Sequence, residues 1–209
     1  MKEDKCKICR RAGTKLFLKG EKCLSVKCPM VRRPYAPGMR AKKRKSVLTE
    51  YGKELREKQK LKNWYGLRER QFKNYIKEVF KRQGGKEDIA NLLIVKLESR
   101  LDNVVFRLGF ASSRAQARQF VGHGHFLVND KKVNIPSYQL KKGDRVSLSE
   151  KAKTKPAFKN ISSDLKKQKL PAWLKINLDK LEGEIAGEPS IVETVPPAEI
   201  SSIFEFYSR

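Results

Sequence analysis

Four cysteines lie near the start of the chain and are spaced as two close pairs. Cys6 and Cys9 are separated by two residues, thirteen residues follow, and Cys23 and Cys28 are then separated by four. Two close pairs joined by a short loop can place four sulfur atoms at the corners of a tetrahedron around one Zn²⁺ ion. An iron–sulfur cluster, two disulfides or four free thiols are the alternatives. Because four cysteine ligands leave no open position on the metal, a zinc site here is expected to be structural.

The charge of the chain requires an anionic partner. The net charge is +25 at pH 7 and the pI is about 10.1, which favours nucleic acid, a membrane surface or an acidic protein as the partner. No run of eighteen apolar residues is present, so no membrane span is expected. Residues 1–82 carry +19, residues 83–150 carry +4 and residues 151–209 carry +2. Most of the electrostatic attraction therefore belongs to the first two-fifths of the chain.

A basic stretch follows the cysteines, between residues 32 and 45. Pro34 and the pair Pro37-Gly38 oppose regular structure there, and a flexible basic segment can follow an irregular phosphate backbone. The alternative is a solvated linker, in which so many cations would repel one another without a polyanion. The candidates for RNA contact in this stretch are Arg32, Arg33, Arg40, Lys42, Lys43, Arg44 and Lys45.

Helices are predicted over the next sixty residues. Thr49 is a plausible N-cap for a first helix that carries apolar residues up to Tyr65. A second helix is predicted from Arg68 to the glycines at 84–85, with Arg70 and Lys73 on its outward face. A third is predicted from residue 86 to about residue 107, with a break near Ser99 where the apolar stripe shifts.

Residues 99–149 predict a mixed helix and strand module. Ser112 or Ser113 can cap a short helix over 114–121. Strands are predicted over 125–128 and 132–135, joined by a tight turn at Asn129-Asp130, and a further strand is predicted over 145–149. Residues 149–169 read as a connection with one helical turn, and residues 187–197 read as a loop.

Three arginines of this module are spaced so that one face could meet phosphates. They are Arg107, Arg114 and Arg118. The helix N-terminus near Ser113 would help to bind an anion. His123 and His125 flank a glycine on a predicted turn. A lone histidine in such a place is more often a surface or hydrogen-bonding residue than an acid–base group.

Residues 99–149 resemble the RNA-binding module that is named after the ribosomal S-four protein. The segments RLDNVVFRLGFASSRAQARQFV, HGHFLVNDKKVNIPSY and KKGDRVSL occur in their usual order. The module also occurs in some tRNA synthetases, pseudouridine synthases and a heat-shock protein, so by itself it indicates only RNA binding. Upstream, EYGKELREKQKLKNWYGLRERQF is similar to the helical signature of the ribosomal protein. The cysteine spacing and the terminal EFYSR match as well, so the chain is identified as a member of the bacterial S-four family, in its four-cysteine metal-binding variant.

The resemblance implies an α+β fold with two lobes. A zinc-stapled basic segment is expected over residues 1–45. A helical lobe is expected over 46–98, and residues 198–209 should return to it as a strand. Residues 99–197 would form an inserted lobe of antiparallel sheet and helices, which contains the RNA-binding module at 99–149.

The resemblance also implies a function in the ribosome. Family members are primary binders of small-subunit rRNA that recognise a multi-helix junction in its 5′ domain and nucleate subunit assembly. They lie beside proteins S-three and S-five near the channel through which mRNA enters, and the S-five contact affects decoding accuracy. A ribosome-bound protein of the cytoplasm is implied, with an organellar ribosome as the alternative.

The candidate site residues fall into two groups. By position, Arg40 and Lys42, Lys43, Arg44 and Lys45 are the candidates to face incoming mRNA. The candidates for rRNA contact are Arg32, Arg33, Arg70, Lys73, Arg100, Arg107, Ser113, Arg114, Arg118, His123, Lys131 and Lys132.

Two rival functions are possible for a chain with this module. An RNA-modifying enzyme would need a catalytic domain of about 150 residues or more, and no such length is left outside the assigned parts. A non-ribosomal, zinc-stapled regulator of mRNA or DNA is the second rival. Sedimentation with small ribosomal subunits would separate it from a ribosomal protein.

Overall fold

The chain divides into two compact units. The computed structural model describes residues 4–38, 47–81, 88–158, 161, 165 and 170–208. The first unit comprises Met1–Ala90 and Pro196–Arg209, and the second, Asn91–Val195, is inserted between them. From the sequence, these borders were expected at 98/99 and 197/198. No helix in the described ranges has the length and apolar character that crossing a membrane requires.

Short helices form the N-terminal part of the first unit. They are α1 (Lys5–Ala12), α2 (Glu21–Leu24) and α3 (Pro29–Arg32). The Asp4 carboxylate caps α1 by accepting a hydrogen bond of 3.1 Å from the backbone N–H of Cys6. Cys9, Ala12 and Leu16 form a small buried core here.

Three longer helices complete the first unit: α4 (Glu50–Trp64), α5 (Glu69–Lys81) and a C-terminal helix (Ile200–Ser208). The predicted cap of α4 is confirmed, because the Thr49 hydroxyl accepts a 3.2 Å hydrogen bond from the N–H of Gly52. The glycines at 84–85, which were predicted to end α5, lie outside the described residues.

The prediction of a C-terminal strand is wrong, because residues 200–208 form a helix. The buried residues Ile200 and Ile203 are three positions apart, which suits one face of a helix. Phe206 lies 5.4 Å from the Tyr51 ring and Phe204 lies 5.4 Å from the Phe80 ring, centroid to centroid. Aromatic packing against α4 and α5 therefore selects the helix.

The second unit begins with three helices, α6 (Ile89–Glu98), α7 (Leu101–Arg107) and α8 (Arg114–Gly122). The predicted break near Ser99 is confirmed, since that residue separates α6 from α7. Ser113 is the N-cap of α8: its hydroxyl accepts from the backbone N–H of Gln116 at 3.3 Å.

A five-stranded antiparallel sheet packs in the same unit, in the order β2-β1-β3-β5-β4. Its strands are β1 (Phe126–Val128), β2 (Lys131–Lys132), β3 (Arg145–Leu148), β4 (Leu174–Asn177) and β5 (Glu182–Ile185). Short helical turns lie at Glu150–Lys153, Pro156–Phe158 and Ile191–Thr194. Helices together with this sheet give the expected α+β class.

The second strand of the predicted hairpin is shorter than expected. It was predicted over 132–135, but β2 ends at Lys132. Beyond β2 the chain turns to the start of α7. There the N–H of Asp102 donates to the carbonyl of Pro136 at 3.1 Å, and the N–H of Leu101 donates to the carbonyl of Tyr138 at 2.9 Å. These hydrogen bonds take the place of sheet pairing.

Candidate nucleic-acid interface and cysteine cluster

Two buried carboxylates lie under the predicted arginine face of the second unit. Glu98, the last residue of α6, is 0% exposed, and Asp102, in the first turn of α7, is 2% exposed. A buried carboxylate is stable only with cations or hydrogen-bond donors around it. Both acids have such partners.

Each carboxylate is gripped by an arginine at two nitrogen atoms. Arg107 donates from Nε and Nη2 to Glu98, both at 2.9 Å. Arg100 donates from Nε at 3.0 Å and from Nη2 at 2.8 Å to Asp102. Such paired, charge-assisted hydrogen bonds fix both the position and the plane of a guanidinium group.

A second arginine approaches each carboxylate. Nε and Nη2 of Arg118 lie 2.8 and 2.7 Å from Oδ2 of Asp102. Nη2 of Arg114 lies 3.9 Å from Oε1 of Glu98. Asn103 links Glu98 to Arg114. Its side-chain amide donates to Glu98 at 2.6 Å, and its side-chain oxygen accepts from Nε of Arg114 at 2.7 Å.

We call these seven residues the arginine–carboxylate network: Glu98, Arg100, Asp102, Asn103, Arg107, Arg114 and Arg118. Its arginines differ in access to solvent. The exposed side-chain fractions are 3% for Arg100, 11% for Arg114, 21% for Arg107 and 34% for Arg118. Arg107 and Arg118 are therefore best placed to meet an RNA phosphate. Arg100 and Arg114 mainly hold other side chains in place. Contact with RNA stays a prediction for all four arginines.

The sequence signal for the two acids was present but weak. Glu98 lies between the buried residues Leu97 and Leu101, where a charged residue interrupts an apolar stripe. Such an interruption indicates a buried charge with a partner. Which arginine serves as that partner depends on how α7 and α8 pack, and spacing along the chain did not reveal it.

The remaining candidates of the second unit lie at the surface, except Ser113, which is buried as the cap of α8. His123, Lys131 and Lys132 are all exposed. The Lys132 side chain lies against Gly124, whose positive φ of 67° favours glycine over residues with a side chain. The RNA contacts of these residues stay predictions.

His125 differs from its neighbour His123 in being buried. Its ring lies 6.1 Å from the Phe120 ring and 5.7 Å from the Phe158 ring, centroid to centroid. Burial lowers the pKa of His125, and the positive charge of Lys155, whose Nζ is 3.4 Å from Nε2, lowers it further. The imidazole is therefore neutral at pH 7 and serves as a core residue.

Basic candidates of the first unit are exposed as well. Arg70 and Lys73 share one face of α5 with Lys77 and Lys81, as the spacing of three and four predicts. Arg32 and Arg33 lie exposed at the end of α3. The candidates for mRNA contact, Arg40, Lys42, Lys43, Arg44 and Lys45, lie outside the described residues.

A basic cavity of about 280 Å³ adds to this surface. It is lined by five cationic residues and by one acid, Asp4, whose carboxylate pairs with Lys19 at 3.3 Å. Three of the cations were not among the predicted RNA contacts. The five are Lys7, Arg10, Lys27, Arg32 and Arg33.

All four cysteines line one cavity of about 10 Å³. They are free thiols, so the two disulfides considered as an alternative are not present in this structure. Burial raises the pKa of the Cys9 thiol, a hydrogen bond from the Leu16 backbone opposes this, and the other three cysteines raise the pKa further. Within the described ranges, no three Cys, His, Asp or Glu side chains are grouped tightly enough to hold a metal ion.

Comparisons with known proteins decide the family. A family model described as "Ribosomal protein S4/S9 N-terminal domain" matches residues 1–96, and one described as "S4 domain" matches residues 99–146. The small ribosomal subunit protein uS4 of Thermotoga petrophila is 47% identical over 205 residues, which are 98% of this chain and 96% of the relative. The uS4 protein of Heliobacterium modesticaldum is 49% identical over 204 residues, which are likewise 98% of this chain and 96% of the relative. The chain belongs to the ribosomal protein S4 family.

Family membership also settles the class of the protein. A member of the ribosomal protein S4 family is a structural, non-enzymatic protein, so the prediction that the chain is not an enzyme is confirmed. Similar proteins named small ribosomal subunit protein uS4 or uS4A come from bacteria, for example Alkaliphilus metalliredigens at 48% identity over 204 residues. The family that the sequence motifs indicated is likewise confirmed.

Proposed function

We propose that this chain is a structural constituent of the small ribosomal subunit and binds its rRNA. The observation that carries the proposal is the basic surface of a chain that belongs to the ribosomal protein S4 family along nearly its whole length. Exposed cations occur on both units. In the second unit the arginines of the network are held in fixed orientations, which suits recognition of a defined RNA shape.

Binding should combine long-range attraction with recognition of shape. Cations that neutralise phosphates release counterions, so the affinity falls steeply as salt rises. The deep, narrow major groove of A-form RNA is closed to side chains, so a multi-helix junction is recognised by its backbone geometry. We propose the junction in the 5′ domain of the small-subunit rRNA as the target, with nucleation of subunit assembly as the consequence.

The finer roles follow from the family resemblance. We propose that Arg40 and residues 42–45 face mRNA at the channel through which it enters, and that the protein contacts ribosomal proteins S-five and S-three there. Through the S-five contact it would affect decoding accuracy. The bacterial source of the relatives supports a ribosome of the bacterial cytoplasm.

We further propose that Cys6, Cys9, Cys23 and Cys28 hold a structural Zn²⁺ ion that staples residues 1–45. All four cysteines line one cavity of about 10 Å³, which supports a shared site. The thiols are not grouped tightly enough there to hold an ion, so the proposal requires that they move closer together around it. The backbone N–H of Lys19, 3.3 Å from Sγ of Cys23, would stabilise the thiolate ligand.

Elemental analysis tests the metal proposal. Protein purified without chelator should contain one zinc per chain, and a variant with Cys9→Ala and Cys28→Ala should contain none. Iron instead of zinc would favour the cluster, and the absence of both metals would contradict a metal centre.

Equilibrium binding to naked rRNA tests the main proposal. The full chain should bind the 5′-domain junction more tightly than a simple duplex of equal length at physiological salt. Equal affinity for the two RNAs would refute it. Failure to sediment with small subunits in a gradient would favour the non-ribosomal regulator instead.

A further inference from the structure

We propose that Glu98 and Asp102 are positioning residues for phosphate recognition. The two acids fix the guanidinium groups of Arg107 and Arg118, and they therefore raise the affinity for RNA although they carry negative charge. This inference rests on the RNA-binding function proposed above. It assigns to two buried carboxylates a part in a function that is otherwise attributed to cations.

The hydrogen bonds of Asp102 show how the positioning works. The buried Arg100 grips the carboxylate from the inside through Nε and Nη2. Arg118 contacts the same carboxylate at Oδ2 from the solvent side, at 2.8 and 2.7 Å. Asp102 thus transmits the fixed position of a buried arginine at the N-cap of α7 to a partly exposed one on α8.

Glu98 plays the equivalent part for Arg107. Its carboxylate is fully buried, accepts from the side-chain amide of Asn103 at 2.6 Å, and receives the paired hydrogen bonds of Arg107. The Arg107 side chain is 21% exposed, so part of it reaches the surface in a single orientation. A residue of α6 thereby orients a cation of α7.

The charges of the network support a binding role in addition to a structural one. Four guanidinium groups surround two carboxylates, so the network carries a net charge of +2. Neutralising the acids alone would need two arginines. Two of the four arginines, Arg107 and Arg118, reach solvent, where a phosphate can contact them.

Positioning affects affinity through conformational entropy. A mobile arginine loses rotamer freedom when it binds a phosphate, and that loss reduces the net affinity. A guanidinium already held by a carboxylate loses less. Simple electrostatics makes the opposite prediction, since removing a nearby negative charge should strengthen the attraction to RNA.

Positioning and simple electrostatics predict opposite changes in RNA affinity when an acid of the network is neutralised, which gives a direct test. In the full chain, Asp102→Asn and Glu98→Gln each remove one negative charge with little change of shape. We expect each to raise the Kd for the rRNA junction about tenfold, and to leave binding of a simple duplex unchanged or slightly tighter. Glu188→Gln, at an exposed position of the same unit, is the matched control and should not weaken junction binding. Unchanged or tighter junction binding by both network variants would overturn the inference.

A double-mutant cycle separates positioning from support of the fold. If Asp102 acts through Arg118, then Asp102→Asn should weaken junction binding much less in an Arg118→Ala background than in the wild type. An equal loss in both backgrounds would assign Asp102 to the fold alone and overturn the inference. If Asp102→Asn does not fold, Arg118→Lys tests the same point, because it keeps the charge and removes the fork. Unchanged junction affinity of that variant would also overturn it.

Measurements on the wild-type protein distinguish failure of the proposed function from failure of the inference about Glu98 and Asp102. If it fails to prefer the junction over the duplex, the proposed function is wrong and the inference loses its basis. If it prefers the junction while the network variants bind as tightly as the wild type, only the inference is wrong.

Discussion

A methyl group added at Gly183 should destabilise the second unit. Gly183 lies in β5 and pairs with Val146 of β3 and Ile176 of β4, in the interior of the sheet. A Cβ atom there would collide with the side chain of Leu108, which follows α7 and is fully buried. Forcing an additional methyl into a packed core costs about 1–3 kcal/mol. We expect Gly183→Ala to lower the free energy of unfolding by that amount.

The matched control is Gly122→Ala, at the end of α8. A Cβ atom at Gly122 meets no other atom within 4 Å, and alanine favours helix by up to about 1 kcal/mol over glycine. This variant should therefore be as stable as the wild type or slightly more stable. A second check is Leu108→Ala, which creates a cavity and should cost about 2–5 kcal/mol.

The double variant decides whether the collision is the cause. The methyl group that Gly183→Ala adds would occupy space that Leu108→Ala leaves, so the double variant should lose at least about 1 kcal/mol less than the sum of the single losses. Urea unfolding followed by the fluorescence of Trp173, which is buried in this unit, measures the wild type and all four variants. A Trp64→Phe background removes the signal of the other tryptophan. Equal stability of Gly183→Ala and Gly122→Ala, or strict additivity in the double variant, would refute the reasoning.

Three further predictions concern pH and metal. Burial raises the pKa of Glu69, but hydrogen bonds from Lys58, Lys62 and Tyr207 outweigh it and lower the pKa to about 2. The ionised Glu69 carboxylate should therefore stabilise the fold, and this contribution should be lost as pH falls from 4.5 towards 2. Glu69→Gln should reduce this acid sensitivity in thermal unfolding. The pKa of His125 is lowered in the folded state, so stability of the second unit should decline as pH falls below about 6.5, and His125→Phe should abolish that decline in urea titrations. Chelation of zinc should increase hydrogen exchange over residues 1–45 and leave the amides of residues 99–149 protected. The reason is that residues 1–45 have only a small core of their own. Increased exchange in both regions would contradict this.

Local signals in the sequence predicted the helices well. Thr49, and either Ser112 or Ser113, were predicted as N-caps from residue type and position. The hydroxyls of Thr49 and Ser113 accept the expected backbone hydrogen bonds. A cap acts within one turn of the chain, so it can be recognised without knowledge of the tertiary structure. The break at Ser99 was predictable for the same reason, from the shift of an apolar stripe.

The errors arose where distant contacts decide the local structure. The family resemblance implied a strand over residues 198–209, but residues 200–208 form a helix whose aromatic side chains pack against Tyr51 and Phe80. The predicted strand over 132–135 is cut short because backbone hydrogen bonds lead to the start of α7. In both cases tertiary contacts decide the local structure.

The role of the candidate arginines was the least predictable part of the site. The spacing of Arg107, Arg114 and Arg118 predicted a face that could meet phosphates, but it did not indicate that buried acids pair with these arginines. The fold supplies Glu98 and Asp102 as internal partners, from residues that precede α8 in the chain. A count of positive charge from the sequence does not distinguish a cation that is already paired from one that faces solvent.

This distinction separates two contributions to RNA binding. Lys131 and Lys132 are exposed to solvent, so they should mainly set the long-range attraction and its dependence on salt. Arg107 and Arg118 are anchored on carboxylates, and they should mainly set the preference for one RNA geometry over another. A protein with many mobile cations would bind any RNA strongly. Because internal acids restrain the arginines of the second unit, part of its positive charge can serve shape recognition there.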